Sequence, residues 1–133
     1  MAVDVRIVVP NRPGTSLQVL DALAGEGVSI RGFCGDIRPG DRWGFLHVLV
    51  NDPDHERARA AIERTGFEIT SEREVEVLDI EDRPGSLADA VRGYVEAGRN
   101  IEVLYMGANS KIIVGPEDLQ KERHGVRVDD ARY

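Results

Sequence analysis

The sequence predicts an α+β fold of two tandem β-α-β-β-α-β modules, each an antiparallel sheet with its helices on one face. Three observations predict it. The phrase Asn11-Arg12-Pro13-Gly14 returns 71 residues later as Asp82-Arg83-Pro84-Gly85. Gly27 and Gly98 keep the same offset, as do Ile30 and Ile101, so the register holds over a whole strand-turn-helix-strand unit. Stretches of two-residue apolar alternation also take turns with stretches of helical period. A repeat this long marks duplicated small domains rather than a solenoid. The division expected is 1–72 and 73–133, two units near the lower size for folding alone, so each half needs the other.

Val3, Val5, Ile7 and Val9 alternate with Asp4, Arg6 and Val8, as in a strand with one buried face. Pro10 and Pro13 stop it. After the first turn, Val19, Leu20, Leu23 and Ala24 share a helical face that Ser16 begins and Gly25 or Gly27 ends. Val28–Cys34 and Trp43–Val50 read as a hairpin around the turn formers of Asp36–Asp41. Asp52-Pro53-Asp54 caps a second helix that buries Ala58, Ala61, Ile62 and Thr65 and turns Arg57, Arg59, Glu63 and Arg64 to water. Gly66 closes it, and Phe67–Thr70 is strand. The second unit repeats the order: strand Val75–Ile80, a helix with the stripe Leu87, Ala90, Val91, Tyr94 and Val95, strand Arg99–Met106, the turn Gly107–Ser110 and strand Lys111–Val114. A short closing helix over Pro116–His124 and a minimal strand at Val126-Arg127-Val128 complete it; with Leu119 its one clear apolar residue, that helix buries little. The arrangement is ferredoxin-like.

Composition narrows the function classes. A net charge of −7 repels phosphate backbones and anionic lipid, so neither nucleic acid nor membrane is the expected partner. Cys34 is the only cysteine, which excludes an intrachain disulfide. No apolar run spans a bilayer and no leader precedes Val3, so a cytoplasmic location is expected. No two histidines share a metal spacing, Glu117-Asp118 and Asp129-Asp130 lack a calcium-loop pattern, and no phosphate loop occurs; neither metal nor cofactor is expected. His47 reads as a packed strand residue, His55 and His124 as water-facing helix ends, and Cys34 as a small buried strand residue rather than a nucleophile. Trp43 and Phe45 either pack in the core or line a pocket.

Asp82-Arg83-Pro84-Gly85-Ser86-Leu87, followed by a helix, Gly98 and the strand start Asn100-Ile101, resembles the ACT domain, a small regulatory amino-acid-binding module. Asn11-Arg12-Pro13-Gly14-Thr15 and Gly27-Val28-Ser29-Ile30 resemble it too, with Ser29 where the second copy has Asn100. The resemblance covers nearly the whole chain and implies a stand-alone tandem regulatory protein without catalysis, whose ligand lies between modules at the turn before the first helix and the start of the second strand. The residues themselves fit such a ligand. Gly14 and Gly85 allow a close backbone approach, and the helix amino ends suit a carboxylate, with Thr15 or Ser86 adding a hydroxyl. Asn11, Asp82 and Asn100 offer partners to an ammonium group. Asp82 is acidic where Asn11 is neutral, so the second copy is the better binder. Arg12-Pro13-Gly14 and Arg83-Pro84-Gly85 are also turns in their own right, and Asn100 and Asp82 serve equally as turn or cap residues.

The function expected is a small sensor that binds a free amino acid at a module or subunit interface. Exposed edge strands invite a homodimer. The alternative is a ligand-free interaction module that docks on a partner enzyme.

Overall fold

The alternation of Ala2–Pro10 forms the strand β1, and the chain then turns at Gly14 into the helix α1 (Thr15–Gly25). β2 (Gly32–Asp36), β3 (Trp43–Asn51), a short 3-10 turn, α2 (His55–Arg64) and β4 (Glu68–Asp79) follow. The second repeat supplies α3 (Ser86–Glu96), β5 (Ile101–Gly107), β6 (Lys111–Pro116) and β7 (Lys121–Glu122). This is a computed structural model, and residues 1–119 and 121–122 are described.

The fold is α+β, with an antiparallel sheet and three helices among the described residues. The strand order is β1-β3-β2-β5-β6-β4-β7, and β1 also pairs β4, so the pairings close into a ring. The segments expected as separate strands at 67–70 and 75–80 are one strand, β4, which runs unbroken through the 72/73 boundary. Its first part pairs β1 down to Ala2↔Val75, and its last part pairs β6 from Glu76↔Val114. The edges of the two repeats meet at Gly32↔Gly107, and Ala108 N–H donates to the Arg31 carbonyl at 3.1 Å.

Ring closure corrects the reading of β1 as a strand with one buried face. Val3, Val5, Ile7 and Val9 pack with Val19, Leu23, Ala58, Ala61 and Ile62 beneath α1 and α2, yet Asp4 and Val8 are buried on the other side. A second core there draws Leu49, Val75, Tyr105 and Ile113 from four strands. The Asp4 carboxylate, fully buried, accepts a hydrogen bond from the Tyr105 hydroxyl at 2.5 Å and lies 2.9 Å from His47 Nδ1. A buried charge requires such partners. His47 is packed, as expected.

Other boundaries shift for local reasons. β2 starts at Gly32 rather than Val28 because Val28 N–H closes the end of α1 on the Leu23 carbonyl, 3.0 Å away, and Ile30 packs on the helix core. Asp36 belongs to β2 rather than to the following loop. Ala24 is exposed; α1 buries Thr15, Val19 and Leu23 instead. Arg59 and His55 do not face water, because β4 brings the buried Glu72 to 2.8 Å from Arg59 Nε and 2.7 Å from His55 Nε2. No closing helix forms over the described part of Pro116–His124. Pro116 ends β6, Leu119 N–H bonds the Pro116 carbonyl in a turn, and β7 then pairs Glu72 and Arg73 of β4. His124, Val126–Val128 and Asp129-Asp130 lie outside the described residues.

α3 consequently packs through Tyr94 on Ile112 and Val114, while Leu87 and Val95 of its expected stripe stay exposed. Tyr94 donates to Glu76 at 3.0 Å, and Arg99 bonds the same carboxylate and Asp118.

The β2–β5 contact leaves no room for a side chain at Gly107. A Cβ there would sit 2.6 Å from Ile113 Cδ1 and 2.8 Å from the Arg31 carbonyl oxygen. Gly107→Ala is expected to destabilise the protein by about 1–3 kcal/mol in urea unfolding. Gly93→Ala, in α3 with nothing within 4 Å of the new methyl, is expected to stabilise it by about 0.5–1 kcal/mol.

Candidate functional site

The two Arg-Pro-Gly turns have the same backbone. Gly14 and Gly85 both have φ of 91°, in the left-handed region that favours glycine, and each stands before the first residue of a helix. Gln18 N–H and Asp89 N–H donate back to the Gly14 and Gly85 carbonyls at 3.0 and 2.9 Å. Their side chains are used differently.

In the first turn the polar groups are engaged within the chain. Asn11 Nδ2 donates to the Asp41 carbonyl at 2.7 Å and to that of Arg38 at 3.3 Å, tying the turn to the β2–β3 loop. The buried Thr15 hydroxyl donates to the Arg12 carbonyl at 3.4 Å. Arg12 and Pro13 are exposed.

In the second turn the corresponding hydroxyl is vacant. Ser86 is 6% exposed, and its Oγ has no hydrogen-bond partner among the described residues. Ser86 lines a cavity of about 440 Å³ formed by Ile80–Arg83, Gly85–Ala88 and, from the β5–β6 hairpin, Met106, Gly107 and Ser110. Leu87 and Ala88 N–H groups belong to the first turn of α3, where a helix cannot satisfy its own donors. Asp82 lines the cavity and pairs with no cation among the described residues. Arg83 is held by Glu81 at 2.9 Å and Asp89 at 3.4 Å, and Pro84 is exposed at the turn. Leu87 and Met106, 37% and 55% exposed, give the cavity an apolar side.

The strand-start residues lie elsewhere. Asn100 and Ile101 stand at the opposite end of β5 from Met106 and Gly107, roughly 20 Å away at the rise of an extended strand. Asn100 Nδ2 donates to Glu117 at 3.3 Å, and Ile101 pairs Pro116. Ser29 is exposed just before β2, two residues from Arg31, whose carbonyl accepts from the β5–β6 hairpin. The structure therefore gathers Asp82, Arg83, Gly85, Ser86 and Leu87 into one cavity, and sets Asn100 and Ile101 apart from it. Ile80, Glu81, Met106 and Ser110 are lining residues that sequence reading missed. The signal for Met106 was its place as an outward apolar residue in a strand opposite the turn.

Cys34 is half-buried on β2. Burial first, then the charges of Asp36 and Asp4, push its thiol above the ordinary value and make it a poor nucleophile. Trp43 and Phe45 do not line this cavity; the Arg6 guanidinium lies over the Phe45 ring, 3.3 Å from its centre. No group of three His, Cys, Asp or Glu among the described residues is placed to hold a metal.

The fold is α+β and ACT-like. Its structure is similar to that of protein BT0572 from Bacteroides thetaiotaomicron, with 24% identity and a TM-score of 0.71 over 87% of this chain and 79% of that one. It is similar also to the ligand-free regulatory subunit of aspartate kinase from Thermus thermophilus, with 20% identity and a TM-score of 0.65 over 86% of this chain and 82% of that one. Aspartate kinase from Synechocystis matches with 20% identity and a TM-score of 0.63, over 88% of this chain but 23% of that one. At these identities the likeness shows the fold. No protein-family model matches the chain, and no curated protein does.

Two outcomes follow from the site. Ser86→Ala removes a hydroxyl that is buried without a partner, so the ligand-free variant is expected to equal or exceed the parent in urea-unfolding stability, by up to about 1 kcal/mol. Alkylation of Cys34 by iodoacetamide at pH 8 is expected to run well below the rate for free cysteine. It should reach that rate once the chain is unfolded.

Proposed function

We propose that this chain is a non-catalytic regulatory protein that binds a free amino acid in the cavity at the amino end of α3. The observation that carries the reading is the Ser86 hydroxyl, buried without a partner among the described residues where a carboxylate would meet it and the Leu87 and Ala88 N–H groups. Asp82 receives the ammonium group, and Leu87 and Met106 face the side chain. The regulatory part of the proposal draws on the fold shared with the aspartate kinase regulatory subunit. The first turn, with Asn11, Arg12, Pro13, Gly14 and Thr15, holds the β2–β3 loop in this reading. Ser29, Asn100 and Ile101 act as structural residues.

The proposal keeps two ACT-like modules, 1–72 and 73–133, with β4 common to both and no closing helix among the described residues of the second. It also keeps a cytoplasmic homodimer. No helix among the described residues is long and apolar enough to cross a membrane. The basis for a dimer changes, because the edges of β2 and β5 pair with each other; the exposed Leu87 and Val95 of α3 supply the contact instead. Those same residues favour the second reading, docking onto a partner enzyme.

Thermal unfolding with each of the twenty amino acids tests the proposal. A ligand at a hundredfold excess over its Kd is expected to add about 2.7 kcal/mol to stability. Ser86→Ala and Asp82→Asn should lose that response while their ligand-free midpoints stay at or above the parent's. If no amino acid at millimolar concentration moves the midpoint, the binding reading fails and the docking reading stands.

A further inference from the structure

β2 and β5 pair at Gly32↔Gly107 alone, and from there on β2 has β3 on one side and no second strand among the described residues on the other. That parting gives access to the second core. Cys34, half-buried, packs against this core beside Leu49 and Tyr105, and His47 keeps 19% of its side chain exposed there. The two residues are direct partners, Cys34↔His47, and such partners in an antiparallel pair project on one face with Cβ atoms about 4.5–5.5 Å apart. Thiol and imidazole are neighbours.

The imidazole is held from its far side. Nδ1 of His47 lies 2.9 Å from Asp4 Oδ2, and Asp4, fully buried, accepts from the Tyr105 hydroxyl through its other oxygen. Asp4 belongs to β1 and Cys34 to β2, the strands that flank β3. The two ring nitrogens point apart, so with Nδ1 turned to β1, Nε2 is turned toward β2, and it has no hydrogen-bond partner among the described residues. With the Nδ1 proton donated to Asp4, the Nε2 lone pair is open. A histidine fixed by a carboxylate through one nitrogen and open at the other has the arrangement of metal-ligating histidines. Burial, then the charges of Asp36 and Asp4, disfavour a bare thiolate at Cys34, but a cation on the sulfur cancels that charge where it forms.

The number of donors selects the ion. Zn²⁺ takes four ligands, and no third His, Cys, Asp or Glu among the described residues is placed to join these two. Cu⁺ binds sulfur strongly and is satisfied by two or three donors. We infer that Cys34 Sγ and His47 Nε2 form a two-donor site for a soft monovalent cation of the Cu⁺ type, reached where β2 parts from β5. The thiol releases its proton to solvent as the S–Cu bond forms, no electron is transferred, and the site keeps its net charge. It shares no residue with the cavity at α3 and does not rest on the amino-acid reading.

Titration of the full chain under nitrogen with the acetonitrile complex of Cu⁺, in competition with the chelator bicinchoninate, tests this. One ion per chain is expected. X-ray absorption at the copper edge should give one sulfur and the scattering pattern of one imidazole, which reads both ligands in the parent without any substitution. Cys34→Ser should leave the copper with the chelator, and His47→Gln should weaken binding about tenfold or more. Circular dichroism and the thermal midpoint report that each variant is folded. The inference is overturned if Cys34→Ser still takes copper from the chelator, if His47→Gln competes as the parent does, or if the copper has two sulfurs and bridges two chains.

Discussion

The structure depends on one strand serving both repeats. β4 carries the first repeat's last strand and the second repeat's first in twelve residues, so it must satisfy β1, β6 and β7 in turn. At its centre Glu72 and Arg73 are both buried with their charges, and side chains of a strand alternate in direction. Glu72 is met by His55 and Arg59 of α2, from the first repeat. Arg73 is met by Glu102 at 3.1 Å and the Pro116 carbonyl at 2.7 Å, from the second. Each repeat thus supplies the countercharge for one half of the shared strand. Removing one partner of such a pair leaves a buried charge uncompensated, which costs far more than the pair contributes.

Sharing β4 closes the sheet into a ring, and that has a polar consequence at Asp4. A one-faced strand would leave this carboxylate in water. Here it is enclosed, and the Tyr105 hydroxyl reaches it from the second repeat. Burial, and then the Asp4 charge, hold the Tyr105 phenol well above its ordinary pKa, so the proton stays on the tyrosine and the bond keeps its direction. The hydrogen bond joins residues 101 positions apart and fixes the second repeat against the first.

Much of the local architecture was legible because periodicity and turn chemistry are local. The 71-residue repeat located the left-handed turn glycines Gly14 and Gly85, and the helical spacing located α1, α2 and α3. What escaped was decided by distant partners. Asp4 reads as an outward residue until Tyr105 is known to face it, and His55 and Arg59 read as solvent-facing until β4 delivers Glu72. The joining of 67–70 and 75–80 into one strand had no local marker, since the residues between them are polar and charged. A helix over Pro116–His124 follows only from the element order of the first repeat. Its sequence, with Leu119 alone to bury, already argued against it. At the candidate site the turn residues were legible as a repeated phrase, whereas Met106 and Ser110 come from a hairpin that meets the turn only in three dimensions.

The difference between the copies has a single structural origin. In the first repeat α1 and α2 lie side by side over their sheet, and Phe33 and Ile37 complete the cover. Over its described length the second repeat turns at Glu117–Leu119 and returns as strand, so α3 lies without a neighbouring helix from its own repeat. Leu87, Val95, Leu104 and Met106 remain in contact with solvent as a result. Apolar surface of that kind, beside a helix amino end and an unanswered hydroxyl, holds its free energy in reserve until something covers it. The first copy has spent the equivalent groups on its own loop, through Asn11 on Asp41 and Thr15 on Arg12. The same turn is thus a clasp on its own loop in the first repeat and, among the described residues, leaves its hydroxyl and the neighbouring apolar side chains uncovered in the second.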